Sequence, residues 1–407
     1  MKKKIITPVT ALFVVLCAAL VLQSCSAKKE WTQDSLRFSL EGGTLTVSGE
    51  GELTSLYALN KGDPEDEPPV ETLVLGPGVT GFGNGALADC GKLRAITAAE
   101  DNPYLTSVDG VLFRRDMTAL LRYPPAKSGA SYSVPESVTE IGSDGFSGCR
   151  ELREVSLPEG LSVIGDNAFN GCERLSQAAL PESLTDLGRS AFAGCHGLTE
   201  VRIPAGLTRI GDGAFQNCAG VTAFTVEEGN LSYYTADGVL FRWEENVLVQ
   251  FPNGSGLTEY AVPERVTKIG DGAFYNNAAL TEVTFPDNLK SIGKFAFSGC
   301  AALRAVTLPD SVYSVDAFSF AHCASLSEVH LGRFCGIVGV QAFFNCPKLL
   351  TLEVPENVEA IGSGAFGYKA LFGKNRFVDG FRILCAEGSA AQSYAEKHGI
   401  RYELAEE

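Results

Sequence analysis

Residues 157–179 read LPEGLSVIGDNAFNGCERLSQAA, residues 180–202 read LPESLTDLGRSAFAGCHGLTEVR, and residues 203–225 read IPAGLTRIGDGAFQNCAGVTAFT. The unit is 23 residues long and returns at 285–307 as FPDNLKSIGKFAFSGCAALRAVT and at 308–330 as LPDSVYSVDAFSFAHCASLSEVH. A fixed period held over this many copies is the signature of a repeat architecture. One such unit cannot bury its apolar face alone, whereas stacked units bury each other's.

Each position of the unit reads as one row of a ladder. Cys149, Cys172, Cys195 and Cys218 fall 23 apart, as do Cys300, Cys323 and Cys346, and Asn277 takes the same place one unit before Cys300. Three positions earlier stand Phe146, Phe169, Phe192, Phe215, Phe274, Phe297, Phe320, Phe343 and Phe366. Five positions earlier again stand Ile141, Ile164, Leu187, Ile210, Ile269, Ile292, Val315, Val338 and Ile361, nearly always followed by glycine. These rows are the expected core. The alternating triplets before the proline, such as Val155-Ser156-Leu157, Val201-Arg202-Ile203 and Val306-Thr307-Leu308, mark short strands. The expected fold is therefore a β-rich repeat solenoid of the α/β leucine-rich-repeat class. It would be a right-handed, parallel-stranded coil with short helical or 3-10 turns, two hairpin insertions and end caps.

Two long units interrupt the period. The intervals Cys90 to Cys149 and Cys218 to Asn277 are both 59 residues. They share NPYLTSVDGVLFRRDMTALLRYPP and GNLSYYTADGVLFRWEENVLVQFP, with Asp109-Gly110 and Asp237-Gly238 128 apart, which argues for duplication of a four-unit block. Each insertion is expected to hold a β-hairpin, with polar tips at Arg115-Asp116 and Glu244-Glu245. At the start of the array, Leu36–Leu40 and Thr44–Ser48 alternate across Glu41-Gly42-Gly43, a hairpin signal. At its end, Ser389 can N-cap a helix that stops at Gly399, flanked by strands around Ile383 and Tyr402.

The N-terminus reads as an export signal. Lys2, Lys3 and Lys4 precede the apolar stretch Ile5–Leu22, which ends in Leu22-Gln23-Ser24-Cys25. That tetrapeptide resembles a bacterial lipobox, making Cys25 the candidate lipid-attachment residue. An uncleaved membrane helix or an ordinary signal peptide is the plainer alternative. The expected organisation is a lipoprotein signal peptide at 1–24 and a β cap with an acidic loop at 25–69. A solenoid follows at 70–377, with long units near 91–149 and 219–277, and then an αβ cap at 378–407. Loss of residues 1–24 takes the formal charge from −16 to −19. Such a charge disfavours nucleic acid as a partner and steers basic proteins or cations toward the surface.

The combination of proline, Ile-Gly, Ala-Phe, a cysteine or asparagine and a leucine at this period resembles the BspA-type leucine-rich repeats over roughly residues 70 to 370. The DGVLF insertions and the closing segment GSAAQSYAEKHGI resemble further features common in that family. The resemblance implies a bacterial surface protein, some of whose relatives act as adhesins. This sequence departs from the pattern at Leu87, Asp316 and Gly332, where phenylalanine, glycine and proline are usual.

Twelve cysteines invite a metal or disulfide reading, but eight lie on the ladder, and asparagine in the same row points to backbone bonding inside a coil. Cys335 and Cys385 lie off the ladder and leave a disulfide open. His196, His322, His330 and His398 are scattered over different coils without metal-binding spacing. No metal, cofactor or catalytic set is expected. The candidate binding face is the outward side of the strand row: Glu154, Ser156, Glu200, Arg202, Glu282, Thr284, Thr307, Glu328 and His330. A rival site is the second hairpin, where Tyr233, Tyr234 and Trp243 gather aromatic surface, although packing onto neighbouring coils is the plainer explanation of these residues. The expected function is adhesin-like binding of an extracellular or cell-surface protein by an exported, membrane-anchored lipoprotein. The alternatives are a passive envelope spacer and, third, an enzyme.

Overall fold

In the computed structural model, which describes residues 28–56, 70–83, 85–88, 90–371 and 374–405, the 23-residue unit is one turn of a coil. The signal segment, Cys25 and the acidic loop lie outside the described residues. The chain forms two compact units, one ending at Ser128 and one beginning at Gly129. The division falls inside the first long unit.

In the first unit, strands Lys29–Gln33, Leu36–Glu41 and Thr44–Gly49 form an antiparallel sheet that continues in parallel with Thr72–Leu75 and Ala95–Ala98. Its second hairpin turns at Gly42 and Gly43, both at positive φ, the two-residue geometry that matches strand twist. Beneath the sheet, Leu45, Val47, Leu73, Leu75, Leu93 and Ile96 share one buried core.

The first long unit holds three strands rather than a single hairpin: Leu105–Val108, Val111–Arg114 and Ala119–Arg122. Asp109-Gly110 is itself a two-residue turn, with φ of 50° and 77°, and Asp237-Gly238 repeats it at 51° and 75°. Glycine is required there twice over, because a Cβ on Gly110 would lie 3.2 Å from the Ala95 methyl. The expected tip at Arg115-Asp116 is present, with Asp116 accepting from the Thr118 N–H and hydroxyl. Those bonds hold the Asp116 carboxyl below its usual range.

In the second unit, parallel dipeptide strands stack in register: Ile141 beside Ile164, then Leu187, then Ile210. Beyond the second insertion the row resumes as Leu248, Ile269, Ile292, Val315, Val338 and Ile361. The glycine after the isoleucine is dictated by this approach, since a Cβ on Gly188 would sit 2.4 Å from the Asp166 nitrogen of the preceding coil. The turns that follow are single i→i+3 turns, such as Asn170 N–H to Asn167 C=O, and not continuous helix. Left-handed residues such as Asn167 and Gly171 interrupt them.

The phenylalanine row is a stack of parallel rings. Centroids lie 4.8 Å apart from Phe146 to Phe169 and from Phe169 to Phe192, and 4.6 Å from Phe274 to Phe297. The ring spacing is the strand spacing of ~4.8 Å, so each coil adds one ring at the separation its backbone bonds set. Six ladder thiols, those of Cys172, Cys195, Cys218, Cys300, Cys323 and Cys346, donate to the phenylalanine carbonyl one coil back, as from Cys195 to Phe169 at 3.2 Å and from Cys300 to Phe274 at 3.2 Å. Asn277 instead accepts from the N–H groups of Ala279 and Leu280. Burial pushes the Cys218 and Cys300 thiols up to about 12. Cys335 and Cys385 are both buried free thiols.

Of the departures from the repeat, Gly332 has a steric reason. A Cβ there would stand 2.1 Å from the Pro309 oxygen, leaving no room for proline. The closing cap is as expected: Ser389 accepts from the Gln392 N–H, the helix spans Ala390–His398, and Gly399 ends it at φ 67°. Strands Arg382–Cys385 and Arg401–Leu404 flank the helix, and a hairpin not foreseen from sequence joins Tyr368–Leu371 to Lys374–Phe377.

Candidate binding surfaces

A strand presents alternate side chains to opposite faces. In the second unit this leaves Val155, Val201, Val283, Val306 and Val329 buried, while Glu154, Ser156, Glu200, Arg202, Glu282, Thr284, Thr307, Glu328 and His330 are all exposed. The structure does not bring these nine into one uninterrupted sheet. Glu154–Ser156 pairs with Ser131–Ser133, Glu200–Ile203 with Ala223–Val226, and Glu282–Thr284 with Glu259–Ala261. Ala305–Thr307 opens a longer run through Glu328–His330, Thr351–Glu353 and Arg382–Cys385 to Arg401–Leu404.

Acidic side chains dominate this face. Glu259 lies opposite Glu282 in register, a like-charge neighbour pair. His330 Nε2 is 2.8 Å from Glu328 Oε1, and Arg202 is clasped by Glu182 at 3.0 Å and by Glu227. On the dipeptide-strand row the charges are instead paired from coil to coil. Arg189 meets Asp166 at 2.9 Å, and Arg209 meets Asp186 at 2.7 Å. Burial works upward on Asp166, but the Arg189 N–H and guanidinium outweigh it and hold the carboxyl low.

The hairpin aromatics have divided roles. Tyr233 is buried, and its hydroxyl accepts from the Ile210 N–H at 2.7 Å, so it fastens the insertion to the preceding coil and offers no surface. Tyr234 stacks on Phe241 and Trp243, and the Arg265 guanidinium lies 4.7 Å from the Trp243 ring centroid. Trp243 alone of the three is exposed, at 42%.

Sequence reasoning missed the residues that seat both insertions. Asn102 donates to the Gly76 and Val79 carbonyls and accepts from the Tyr104 and Leu105 N–H groups, four bonds of 2.8–2.9 Å. Asn230 does the same toward Pro204, Leu207, Ser232 and Tyr233. The signal was present, because the two asparagines share the 128-residue offset of the duplicated block. Also unforeseen is an outer aromatic pair, Phe295 and Phe318, stacked at 4.8 Å with both residues at positive φ.

Among the described residues no group of three or more His, Cys, Asp or Glu is placed to hold a metal ion. The four histidines stay apart: His196 contacts Asn217, His322 contacts Asn345, His330 contacts Glu328 and His398 contacts Tyr368.

Stacked coils with a phenylalanine spine, a thiol ladder and a row of short parallel strands define a leucine-rich-repeat solenoid. The BspA type leucine rich repeat region matches residues 127–236 and 250–371 in six copies, more than half of the chain, and the protein belongs to that family. No curated protein matches it in sequence. Among solved structures it is similar to the pneumococcal vaccine antigen PcpA, at 15% identity and a TM-score of 0.54 over 94% of this chain and 100% of that one. It is also similar to a leucine-rich repeat protein from Eubacterium ventriosum, at 20% identity and a TM-score of 0.46 over 84% and 95% of the two chains. A leucine rich cell surface protein from Faecalibacterium prausnitzii gives 20% identity and a TM-score of 0.47 over 94% and 96%.

Proposed function

We propose that this chain is an exported cell-surface protein, tethered through acylated Cys25, that binds a protein partner in an adhesin-like role on the outward face of its strand row. The observation that carries the reading is the exposure of all nine outward residues on parallel strands whose alternate residues build the core. A repeat array offers such a face as an extended surface. The excess of glutamates and the lack of outward aromatics fit a basic protein better than a sugar, because long-range attraction steers oppositely charged partners to it. Family membership supports the surface location, as does the likeness to PcpA, a pneumococcal vaccine antigen.

The full mature chain, immobilised and exposed to extracellular protein fractions, should capture a partner saturably, with capture weakening as salt rises. Absence of any saturable, salt-sensitive capture, together with unchanged adhesion on deletion, contradicts the reading. The tether has its own test. A Cys25→Ser chain should no longer incorporate labelled palmitate and should leave the membrane fraction, and retained label refutes acylation at that residue.

A further inference from the structure

The strand row of the second unit has one coil that fails to form a strand. Residues 177–179 keep only a single bridge, Gln177 to Glu154, and no ladder joins them to Glu200–Ile203. In several coils the residue before the proline donates forward, as from Val134 to Ser156 at 3.0 Å and from Leu308 to His330 at 2.9 Å. Among the described bonds, Leu157, Leu180, Phe285 and Leu331 make no such link.

One inward residue sets this coil apart. Ala178 occupies the inward position filled by Val155 one coil earlier and Val201 one coil later, which are 2% and 6% exposed. Alanine is too short to reach the core and lacks the branching that favours a strand. Ala178 is itself half-exposed, and Phe192 and Phe215 behind it stand 5.7 Å apart, where the two preceding ring pairs stand 4.8 Å apart. A second break, between Glu282–Thr284 and Ala305–Thr307, stays closed because Val283 and Val306 fill it at 5% and 1% exposure. At Ala178 the core opens instead. A space of about 430 Å³ reaches Leu198, Phe192 and Phe215. An adjoining space of about 340 Å³ shares Gln177, Ala179, Leu180 and Arg202 with it.

The rim carries charge of one sign. Glu154, Glu159, Glu182 and Glu200 line the two spaces, and the one base among the lining residues, Arg202, is already held by Glu182 and Glu227. An apolar recess behind a ring of carboxylates is complementary to an apolar side chain flanked by cations. We propose that the gap at Ala178 is a socket that takes one apolar side chain of a basic, extended protein segment. This rests on the strand-face reading and adds where on that face the partner is anchored and by what chemistry.

The probes are two fluorescein-labelled pentapeptides, four lysines around a central phenylalanine or a central alanine, titrated into the full mature chain by anisotropy. Burying the ring should make the phenylalanine peptide bind roughly tenfold tighter or more. Ala178→Val restores the residue used in neighbouring coils and should erase that preference while raising the melting temperature. Ala179→Arg, a change at an exposed rim position, should erase it by blocking the mouth without touching the core. No preference in the natural chain, or a preference that survives both variants, overturns the socket. Self-association lost in both variants would make a second copy the occupant and overturn the basic-segment assignment. Partner capture is measured alongside. If it persists in both variants but is lost on charge reversal at Glu282 and Glu328, the socket fails and the strand-face reading stands. If no capture is found at all, the reading beneath it fails.

Discussion

Phe169 offers the sharpest test of the spine. It is fully buried and stacked at 4.8 Å on Phe146 and at 4.8 Å on Phe192. Replacing it with alanine removes a large buried side chain and leaves a cavity, a loss of about 3–5 kcal/mol. Each ring pair adds about 0.5–1.5 kcal/mol beyond its buried area. The neighbours are held by their own backbone bonds, such as Phe146 N–H to Ala168 C=O at 2.6 Å, so collapse into the hole is restricted. The expected cost is about 5 kcal/mol, against about 1 kcal/mol for Phe169→Leu. Urea unfolding of the full chain reads the total. Hydrogen exchange reads its distribution, because a solenoid couples mainly nearest neighbours. Protection should fall around residues 141–192 and stay unchanged at Phe320 and Phe343. A cost under about 1 kcal/mol, or a uniform loss of protection along the chain, would refute a shared stacked core.

Further expectations concern the ladder and the insertions. The Cys218 and Cys300 thiols are raised by burial to about 12 from an unfolded value of 9.0, so their contribution to stability is complete below pH 9.0 and is lost as pH rises toward about 12. The native chain should resist alkylation at pH 8 and unfold progressively above pH 9, and rapid labelling of folded protein at pH 8 would contradict their burial. Asn230→Ala should cost about 3 kcal/mol, since two carbonyls and two N–H groups lose their partner at a buried site. Asn102→Ala should match it, and a loss below about 1 kcal/mol in both would remove asparagine as the anchor of the duplicated insertions.

The solenoid was legible because its evidence was redundant. A row such as Phe146, Phe169, Phe192 and Phe215 states the same spatial fact several times, and the alternation around Val155 and Val201 sets which residues face outward. The closing helix was legible because Ser389 and Gly399 each carry a local capping reason. Features resting on single residues were hidden. Asp109-Gly110 is a strong hairpin-turn dipeptide, yet it serves only to align the two insertions, so the first strand of each, Leu105–Val108 and Tyr233–Ala236, is not foreseen. Tyr233 could not be told from Tyr234 by pattern, because both sit in an irregular insertion and only the hydrogen bond to Ile210 separates them. Ala178 broke no motif, since alanine is apolar like the residues it replaces. Its effect lies in volume, which hydrophobic patterning does not record.

The central claim, that glutamates on the strand row bind a basic protein, is tested most directly by charge reversal. A variant carrying lysine at Glu154, Glu200, Glu282 and Glu328, all exposed, should keep the far-UV spectrum and melting profile of the natural chain. Its Kd for the captured partner should weaken at least tenfold at low salt, with the difference shrinking as ionic strength rises. Unchanged affinity in a folded variant would contradict the account and leave the coil as a spacer that holds a shape at the cell surface.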